Sequence, residues 1–375
     1  MREKLSETLK KLNVRLGKNS YDIIIGENYT KDFPKYIKEV HKGENLFVIT
    51  DSNVHEIYKE KYDEMFNGFK YSVYVLEAGE KNKHIGVMQG IYSAMVNSEV
   101  KRKDMVVAFG GGVVGDIAGF AAASFLRGIN FIQIPTTIVS QVDSSVGGKV
   151  GVDLPEGKNL IGAFHQPRRV LIDNQFLTTL TDRYFYDGFA EIVKYGCIYD
   201  KVFFNKLVGL VDNFKKESSN ISNNNNYKIK LRKYLMNYIN EIVYRSCEIK
   251  KEVVEQDEKE DNLRMILNFG HTIGHAIEQY TNYEVYSHGE AISTGMIDII
   301  KIGVKKGISS KGQLDEVKKL LESLNLPTNI EYPIDKIQNI MRRDKKSATN
   351  GINFVFLKEI GEVEIIKMTE EELFC

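Results

Sequence analysis

A strand, a glycine turn and a helix of small residues follow one another without a break between residues 104 and 123. Residues 104–109 have the apolar composition of a buried strand, and Gly110, Gly112 and Gly115 then satisfy the spacing G-x-G-x-x-G. In a strand–turn–helix context, that spacing lets backbone N–H groups approach a pyrophosphate. The segment therefore predicts a nucleotide-binding α/β domain. A second interpretation stays open, in which the glycines only allow the helix to pack on the sheet.

The acidic residue that usually accompanies this glycine pattern is missing from its usual place. In dinucleotide-binding units it ends a strand about 20 residues after the glycines and binds the ribose. Here the best candidate, Asp51, comes earlier, at the end of the strand-like run 45–51. A helix N-cap accounts for this aspartate equally well.

Histidines cluster in the second half of the chain. Three of the seven, His271, His275 and His288, lie within 18 residues. If residues 267–278 are helical, His271 and His275 project from one face at a spacing that a divalent metal can use. Two histidines with one carboxylate would give the catalytic zinc pattern of three protein ligands and an open position. The spacing does not identify the carboxylate, and it leaves open whether His275 is a ligand or a neighbouring base.

Strand-like and helix-like segments alternate through the first half of the chain. Apolar strand-like runs at residues 21–26, 45–51, 71–76, 104–109, 130–134 and 169–173 are separated by helical or polar segments. From about residue 182 the periodicity becomes helical, and residues 353–366 predict a hairpin around Gly361. We therefore predict an α/β, Rossmann-like nucleotide-binding domain over residues 1–181. A mainly α-helical, metal- and substrate-binding domain follows over residues 182–375.

Several polar segments are ambiguous when each is taken alone. The glycine-rich stretch 141–160 reads as a flexible loop region with two lysines, suited to phosphate or carboxylate binding. Glu191 and Lys194 stand three residues apart and read as an ordinary surface pair. The basic run 341–346 has the composition of a solvated face. The asparagine-rich segment 218–226 predicts a flexible insertion that carries no chemistry.

Composition and charge exclude several classes of partner. The chain has 51 basic and 51 acidic residues, so its global charge calls for neither nucleic acid nor an anionic membrane. No apolar run is long enough to span a bilayer, and the N-terminus has no apolar signal core. The three cysteines, Cys197, Cys247 and Cys375, are too few and scattered for a disulfide framework. We expect a soluble cytoplasmic protein.

A nucleotide turn in one half and a metal site in the other suit the oxidation of an alcohol. The metal would polarise a substrate oxygen while a nicotinamide takes a hydride. We expect the cofactor and the metal on either side of a domain cleft, which is a common location for ligands.

Several long motifs occur together and in a fixed order. They are 110–116 (GGGVVGD), 135–137 (PTT), 141–149 (QVDSSVGGK), 157–159 (GKN), 190–196 (AEIVKYG) and 268–271 (NFGH). With these motifs, nearly the whole chain closely resembles the 3-dehydroquinate synthase family. That family converts 3-deoxy-D-arabino-heptulosonate 7-phosphate to 3-dehydroquinate and phosphate, the second step of the shikimate pathway to chorismate and the aromatic amino acids.

The resemblance implies a zinc or cobalt ion held by Glu191, His271 and His288, with His275 beside it in substrate contact or proton transfer. It also implies bound NAD. The implied NAD contacts are Asp51, Gly79, Glu80, Lys83, Gly112, Val113, Val114, Gly115, Asp116, Thr136, Thr137, Lys149, Lys158, Phe176, Leu177, Thr178 and Thr179. The loop at Ala78 departs from the family pattern, in which an acid often precedes the glycine.

The substrate is implied to be a small sugar phosphate. Its implied contacts are Asp143, Lys149, Asn159, Lys194, Lys250, Arg264, Asn268, Lys345 and Lys346. Arg127 is expected to reach a neighbouring subunit of a homodimer. The implied reaction is a transient oxidation by NAD, phosphate elimination, return of the hydride, ring opening and an internal aldol closure. Cations suit a substrate with both a carboxylate and a phosphate.

Three other functions remain open. A sister cyclase of the same superfamily would use the same chemistry on another sugar phosphate. A metal-dependent polyol dehydrogenase would accumulate NADH, whereas a cyclase would regenerate NAD in each turnover. A nucleotide-binding regulatory module with a structural metal would show no turnover, but it would leave Lys149, Lys250 and Arg264 without an evident purpose.

Overall fold

The structure, a computed structural model, describes residues 9–218, 224–344 and 351–375. The chain divides into two compact units, Met1–Thr179 and Leu180–Cys375. The predicted fold class is confirmed, because the first unit is a Rossmann-like α/β unit on a parallel sheet and the second is largely helical. Lys345, Lys346 and the central part of the predicted insertion lie outside the described residues.

The first unit alternates strands and helices. Its strands are β1 Lys10–Val14, β2 Tyr21–Gly26, β3 Asn45–Asp51, β4 Lys70–Leu76, β5 Met105–Gly110, β6 Asn130–Pro135, β7 Lys149–Leu154, β8 Gly157–Phe164 and β9 Arg169–Asp173. Its helices are α1 Phe33–Val40, α2 Ser52–Tyr58, α3 Tyr62–Met65, α4 Ile85–Asn97 and α5 Gly112–Ser124. Short 3₁₀ and π turns connect them, including Glu80–Asn82, Ser140–Ser144 and Asn174–Thr179.

Seven of these strands form one sheet in the order β1-β2-β9-β6-β5-β3-β4. Only the β1–β2 pair of this sheet is antiparallel. The chain leaves β3 towards β4 but leaves β5 in the opposite direction, towards β6. The carboxyl ends of β3 and β5 therefore flank a topological switch point, where open parallel sheets bind their ligands. Asp51 and the glycine turn after Gly110 are the segments that the fold brings to this point.

Side chains from the central strands fill an apolar core on each face of the sheet. Val48 and Val107 belong to one core, and their neighbours Ile49 and Val106 belong to the other. Successive side chains of a strand point to opposite faces, so a strand buried on both faces must be apolar throughout. This explains why β5 is buried along its whole length and reads as a continuous apolar run.

The predicted flexible loop at residues 141–160 is wrong. This stretch forms a helical turn and then the antiparallel hairpin of β7 and β8, separate from the seven-stranded sheet. Gly151 pairs with Gly162 across the hairpin. A Cβ atom at Gly162 would lie 2.4 Å from the Val150 carbonyl oxygen, and one at Gly151 would lie 2.6 Å from the Ile161 carbonyl oxygen. The glycines therefore permit close strand pairing and do not indicate a flexible loop.

In the second unit, the other helices pack around one long buried helix, His288–Lys305. Its helices are α6 Asp182–Asp187, α7 Phe189–Ile198, α8 Lys201–Glu217, α9 Asn224–Met236, α10 Ile239–Gln256, α11 His271–Tyr280, α12 His288–Lys305, α13 Lys311–Ser323, α14 Ile334–Asp344 and α15 Glu370–Phe374. The strands β10 Ile352–Glu359 and β11 Glu362–Met368 form the predicted antiparallel hairpin. In the described part of the chain, no helix is both long and apolar enough to cross a membrane.

Candidate metal centre and nucleotide-binding site

Three side chains from three helices of the second unit converge on one point. Glu191 lies inside α7, while His271 and His288 are the first residues of α11 and α12. The Oε1 atom of Glu191 lies 3.2 Å from the Nε2 atom of His271 and 3.2 Å from the Nε2 atom of His288. Glu191 is fully buried. These three donors have the composition of a catalytic zinc site.

Each imidazole has a hydrogen-bond partner for Nδ1 on the side away from Glu191. This partner indicates which nitrogen carries the lone pair. The Nδ1 atom of His271 lies 3.1 Å from the Phe269 carbonyl oxygen, which can only accept, so Nδ1 donates. The Nδ1 atom of His288 lies 3.4 Å from the Glu278 Oε2 atom, another acceptor. When both imidazoles are neutral, as metal binding requires, both Nε2 atoms are acceptors turned towards an acceptor oxygen. A divalent cation balances such an arrangement.

The spacing of the three atoms also fits a metal. A tetrahedral ion with bonds of about 2.0–2.1 Å holds its ligand atoms about 3.3–3.4 Å apart. The two Glu191–histidine separations are 3.2 Å, close to that value. The donor set and these separations therefore fit a zinc or cobalt ion.

Glycines and caps place the two histidines at helix starts. Gly270 has a positive φ of 77°, and a Cβ atom there would lie 2.5 Å from Met296. A Cβ atom at Gly289 would lie 1.9 Å from the Asp187 carbonyl oxygen. The Asp187 carboxylate accepts the Gly289 N–H at 2.6 Å, and Ser287 forms a capping box with Glu290. These contacts fix the first turn of α12, and with it His288.

The surface-pair interpretation of Glu191 and Lys194 is wrong. Both side chains are buried, and the Lys194 ammonium pairs with the Oε2 atom of Glu191. The sequence could not reveal this, because a spacing of three residues is equally common on exposed helix faces. The pair brings a fixed positive charge to the carboxylate that faces the histidines.

Burial and charge shift the titration of the three groups. Burial raises the pKa of the Glu191 carboxyl, but Lys194 and His271 outweigh it and hold that pKa well below its usual value. Burial and the neighbouring Lys194 lower the pKa of His271. Burial also opposes the charged form of His288, yet the carboxylates of Glu278 and Glu191 raise its pKa to about 10.

His275 lies beside this centre. Its ring centroid is 5.2 Å from that of His271 and 5.9 Å from that of His288. Its nitrogen belongs to a second group with Glu278 and His288, in which the potential ligand atoms all lie within 4.8 Å of one another. The two histidines spaced four residues apart therefore share a helix face as predicted, and His288 joins both groups.

The comparisons with known proteins agree across the whole chain. Family models described as 3-dehydroquinate synthase N-terminal and C-terminal match residues 73–187 and 188–347. The 3-dehydroquinate synthase of Clostridium acetobutylicum is 43% identical over 369 residues, covering 98% of each chain. That of Clostridium botulinum is 44% identical over 369 residues, covering 98% of this chain and 100% of its own. The chain belongs to the 3-dehydroquinate synthase family.

Solved structures share the fold of this family member. A 2-deoxy-scyllo-inosose synthase, solved with carbaglucose-6-phosphate, NAD⁺ and Co²⁺, matches with a TM-score of 0.81 at 23% identity, covering 97% of this chain and 98% of its own. A 2-epi-5-epi-valiolone synthase from Streptomyces hygroscopicus, solved with NAD⁺ and Zn²⁺, matches with a TM-score of 0.81 at 24% identity, covering 96% of both chains. Identities this low establish the fold alone.

The glycine turn of the 3-dehydroquinate synthase fold serves packing at some of its positions. A Cβ atom at Gly115 would lie 2.9 Å from Gln133, and one at Gly119 would lie 2.3 Å from Val150. At Gly112, the first residue of α5, a Cβ atom would lie 3.3 Å from the Ser144 hydroxyl, which is a tight but not a forbidden contact. Packing therefore restricts Gly115 in the turn, and Gly119 in the helix that follows, to a very small residue. Nucleotide binding by Gly112, Val113, Val114, Gly115 and Asp116 stays a prediction.

Five predicted binding residues of the first unit form one polar cluster. The buried Lys83 ammonium lies 2.6 Å from the Asp116 carboxylate and donates to the Asn159 side-chain oxygen at 2.7 Å. Lys158 pairs with Glu80 at 3.0 Å. Burial raises the pKa of Asp116 despite the neighbouring Lys83. The structure thus brings together residues that the resemblance divides between cofactor and substrate.

Asp153 organises this cluster, although it was not among the residues predicted from the sequence. Its backbone N–H donates to the Lys83 carbonyl oxygen at 2.7 Å, and its carboxylate accepts the Asn159 N–H at 2.7 Å. Asn159 has a φ of 54°, the left-handed conformation that asparagine tolerates better than most residues. The sequence carried no clear signal for this role, because residues 141–160 were predicted to be a flexible loop.

The other predicted cofactor residues are placed by the carboxyl edge of the sheet. Asp51 caps α2, with its Oδ1 atom accepting the N–H groups of Asn53 and Val54 at 2.9 and 3.0 Å. The Thr136 N–H donates to the Gly110 carbonyl oxygen, and Thr137 bonds to Ser140. Gly79 precedes a 3₁₀ turn, Phe176 and Leu177 are buried, and Thr178 and Thr179 are exposed. The N-cap interpretation of Asp51 is confirmed, and its ribose contact stays a prediction.

The predicted substrate residues divide between the two units. In the first unit, Lys149 is exposed and Asp143 is half-buried. In the second unit, Lys194, Lys250 and Arg264 are all buried cations. A buried cation is costly unless a partner or a ligand compensates it. Lys194 pairs with Glu191, and the Arg264 guanidinium donates to the Glu258 carbonyl oxygen.

An acidic loop holds two of the predicted substrate residues of the second unit. The Asp257 carboxylate accepts the N–H groups of Asp261, Asn262 and Arg264 at 3.0, 2.8 and 2.9 Å. Asn268 donates to Glu260 at 2.9 Å. The loop at residues 255–261 therefore fixes the approach of the backbone to α11.

Proposed function

We propose that this chain converts 3-deoxy-D-arabino-heptulosonate 7-phosphate to 3-dehydroquinate and phosphate. It would act as a carbon–oxygen lyase of the shikimate pathway that depends on NAD and a divalent metal. Membership of the 3-dehydroquinate synthase family supports the reaction. The observation that carries the proposal is the convergence of Glu191, His271 and His288, because two imidazole acceptors 3.2 Å from one buried carboxylate oxygen are suited to a catalytic cation.

The two cofactors supply chemistry that side chains cannot. When bound, NAD accepts a hydride from the substrate and returns it, and the metal stabilises the negative charge that develops on the substrate oxygen. Glu191, His271 and His288 would hold the metal. The carboxyl edge of the sheet, with Asp51 and the N-terminus of α5, would hold NAD. The relatives solved with NAD⁺ and with Co²⁺ or Zn²⁺ support this assignment.

The remaining residues of the site would bind and orient the substrate. Lys194, Lys250 and Arg264 would compensate its carboxylate and phosphate, since buried cations interact strongly with anions when water is excluded. A chain with 51 basic and 51 acidic residues has to concentrate cations locally to achieve this. In the first unit, Lys149, Asn159 and Asp143 would complete the contacts. Lys346 is carried over from the resemblance alone.

His275 is placed to handle a proton next to the metal ligands. Its ring lies 5.2 Å from that of His271, and a neutral imidazole has one nitrogen that can accept a proton and another that can donate one. The phosphate of the substrate is itself a base, so the site does not require a strong protein base. His275 would then orient the substrate and relay a proton, while the buried cations bind the phosphate that leaves.

We also propose a cytoplasmic homodimer. Arg127 is exposed and stands with Leu126 in a loop where both residues have a positive φ, 68° and 49°. A strained, exposed loop of this kind is suited to reach another subunit. Cys197 and Cys247 are buried free thiols and Cys375 is an exposed one, which fits a reducing compartment.

One assay tests the reaction. The purified chain would be supplied with the heptulosonate phosphate, catalytic NAD and Zn²⁺ or Co²⁺, and phosphate release would be measured. We expect many turnovers per NAD and no net absorbance of NADH at the end. Accumulation of NADH would indicate a polyol dehydrogenase instead. Phosphate release only from another sugar phosphate would indicate a sister cyclase, and no turnover with any substrate would indicate a regulatory module.

A further inference from the structure

The two histidines of the metal centre are held on their outer sides in different ways. His271 donates from Nδ1 to a main-chain carbonyl, that of Phe269. His288 directs its Nδ1 atom to a side-chain carboxylate, that of Glu278, at 3.4 Å. A metal-bound histidine commonly donates its second N–H to a carbonyl or a carboxylate, which fixes the orientation of the ring. Only the second of these supports can be removed by a side-chain substitution.

Glu278 is an unusual residue for its position. It lies on the same face of α11 as His271, seven residues further along, and its side chain is nearly completely buried. Burying a carboxylate costs several kcal/mol unless other groups compensate it, so packing alone does not explain a glutamate there. Its oxygen lies within 4.8 Å of the ligand atoms of both His275 and His288.

We propose that Glu278 is a positioning residue that keeps the Nε2 atom of His288 turned towards Glu191 and so strengthens metal binding. The inference rests on the proposed function only in requiring a divalent metal at this centre. An ionised Glu278 accepts from Nδ1, which leaves the Nε2 lone pair free for the metal. Its negative charge also offsets the positive charge that Lys194 brings to Glu191.

The arrangement has a consequence for the neighbouring histidine. Because His275 shares the group with Glu278 and His288, the same carboxylate restrains the ring that we place next to the substrate. Removing it should loosen His288 and His275 together, while His271 keeps its main-chain support. The effect should therefore appear first as weaker metal binding, before any effect on substrate binding.

The test is a metal competition on the full chain without substrate or NAD. Metal-free protein would be titrated with Zn²⁺ in the presence of a chromogenic chelator for wild type, Glu278→Ala, Glu278→Gln and the control Gln279→Ala. Gln279 is the next residue of the same helix. We expect the zinc dissociation constant to rise about 10–100-fold in Glu278→Ala, as is typical when a carboxylate supporting a histidine ligand is lost. Glu278→Gln should show a smaller rise, because its amide oxygen can still accept from Nδ1, and Gln279→Ala should match wild type.

Cobalt provides a second readout that general destabilisation would not reproduce. The d–d absorption of the Co²⁺-loaded protein reports the coordination geometry, so it should change in Glu278→Ala and change less in Glu278→Gln. Circular dichroism of each metal-free variant would show whether it is folded. If both Glu278 variants bind zinc within twofold of wild type and keep the cobalt spectrum, the inference is overturned.

The outcomes also separate this inference from the proposed reaction. If the Glu278 variants bind zinc weakly but wild type releases no phosphate from the heptulosonate phosphate, the positioning role stands and the proposed function fails. If wild type turns over and the Glu278 variants bind zinc as wild type does, the proposed function stands and the positioning role fails.

Discussion

The two candidate sites are built in different ways. In the sheet unit, the backbone defines the site, since the carboxyl ends of β3 and β5 flank the switch point and the predicted cofactor residues Asp51, Lys83 and Asp116 are engaged in caps and internal pairs. In the helical unit, the side chains define the site, since Glu191 and the two histidines converge there. A site built from backbone should lose less when one side chain is removed than a site built from converging side chains.

The largest expected effect tests the helical unit. His271→Ala should lower phosphate release at least about 1,000-fold, because a catalytic metal contributes several kcal/mol and each ~1.4 kcal/mol is a factor of ten. Its metal content after dialysis should fall as well. NAD affinity, measured by calorimetry, should stay within about threefold of wild type if the two sites are independent. A large loss of NAD affinity would break the contrast between the units.

The next effect tests whether Lys83 and Asp116 are structural or bind the cofactor. Asp116→Leu leaves a buried ammonium without its nearest partner and should destabilise the chain by about 3 kcal/mol in denaturant unfolding. The double variant Lys83→Met with Asp116→Leu should recover most of that stability, because apolar replacement of a buried pair is often neutral. If the pair also binds the cofactor, both the single and the double variant should bind NAD more weakly than wild type. Full recovery of NAD affinity in the double variant would make the pair purely structural.

A smaller effect concerns the acidic loop of the helical unit. Asp257→Ala should raise the KM for the heptulosonate phosphate about tenfold, because the Arg264 backbone loses its anchor, a bond to a charged acceptor. Asp261→Ala, an exposed neighbour, is the control. Steady-state kinetics with both variants would check this. If Asp257→Ala has the same KM as Asp261→Ala, Asp257 does not support substrate binding.

The pH dependence of stability gives an independent check on Asp257. Burial raises its pKa, but the N–H groups of Arg264, Asn262 and Asp261 outweigh burial and hold the pKa below the ordinary value of 3.8. The unfolded chain therefore binds the proton more readily than the folded chain. The stabilisation is present above about pH 3.8 and is lost as the pH falls through the lower folded value. The unfolding free energies of wild type and Asp257→Ala should thus converge as the pH falls below 3.8.

The smallest effect concerns the sheet unit. Asp51→Asn should leave stability within about 0.5 kcal/mol, since asparagine caps helices as well as aspartate does, whereas Asp51→Ala should cost about 1 kcal/mol. If Asp51 also bonds the ribose, both variants should weaken NAD binding about tenfold, the loss expected for a hydrogen bond to a charged group. Unchanged NAD affinity in both variants would leave Asp51 with its capping role alone.

Much of the sheet unit follows from its sequence. Continuous apolar runs such as β5 are diagnostic of strands buried on both faces, and the glycine turn after Gly110 identifies the helix that follows. The hairpin of β7 and β8 was missed because its glycines, Gly151 and Gly162, have the same composition whether they bend a loop or bring two strands together.

The helical unit was harder to predict, because its site depends on burial. The histidine cluster indicated a metal, and the resemblance supplied Glu191, but the spacing of Glu191 and Lys194 is the same for exposed and buried pairs. Glu278 was missed for a related reason. Its position seven residues after His271 places it on the same helix face, and this signal has meaning only once His288 is known to pack there.

The buried Lys194 gives the metal centre a counter-ion of its own. When a chelator removes the metal, Lys194 still neutralises the buried carboxylate of Glu191. Loss of the ion should therefore not unfold the second unit. We therefore expect such a protein to exchange one divalent ion for another in its folded state, so that the supply of zinc and cobalt would determine which ion it holds.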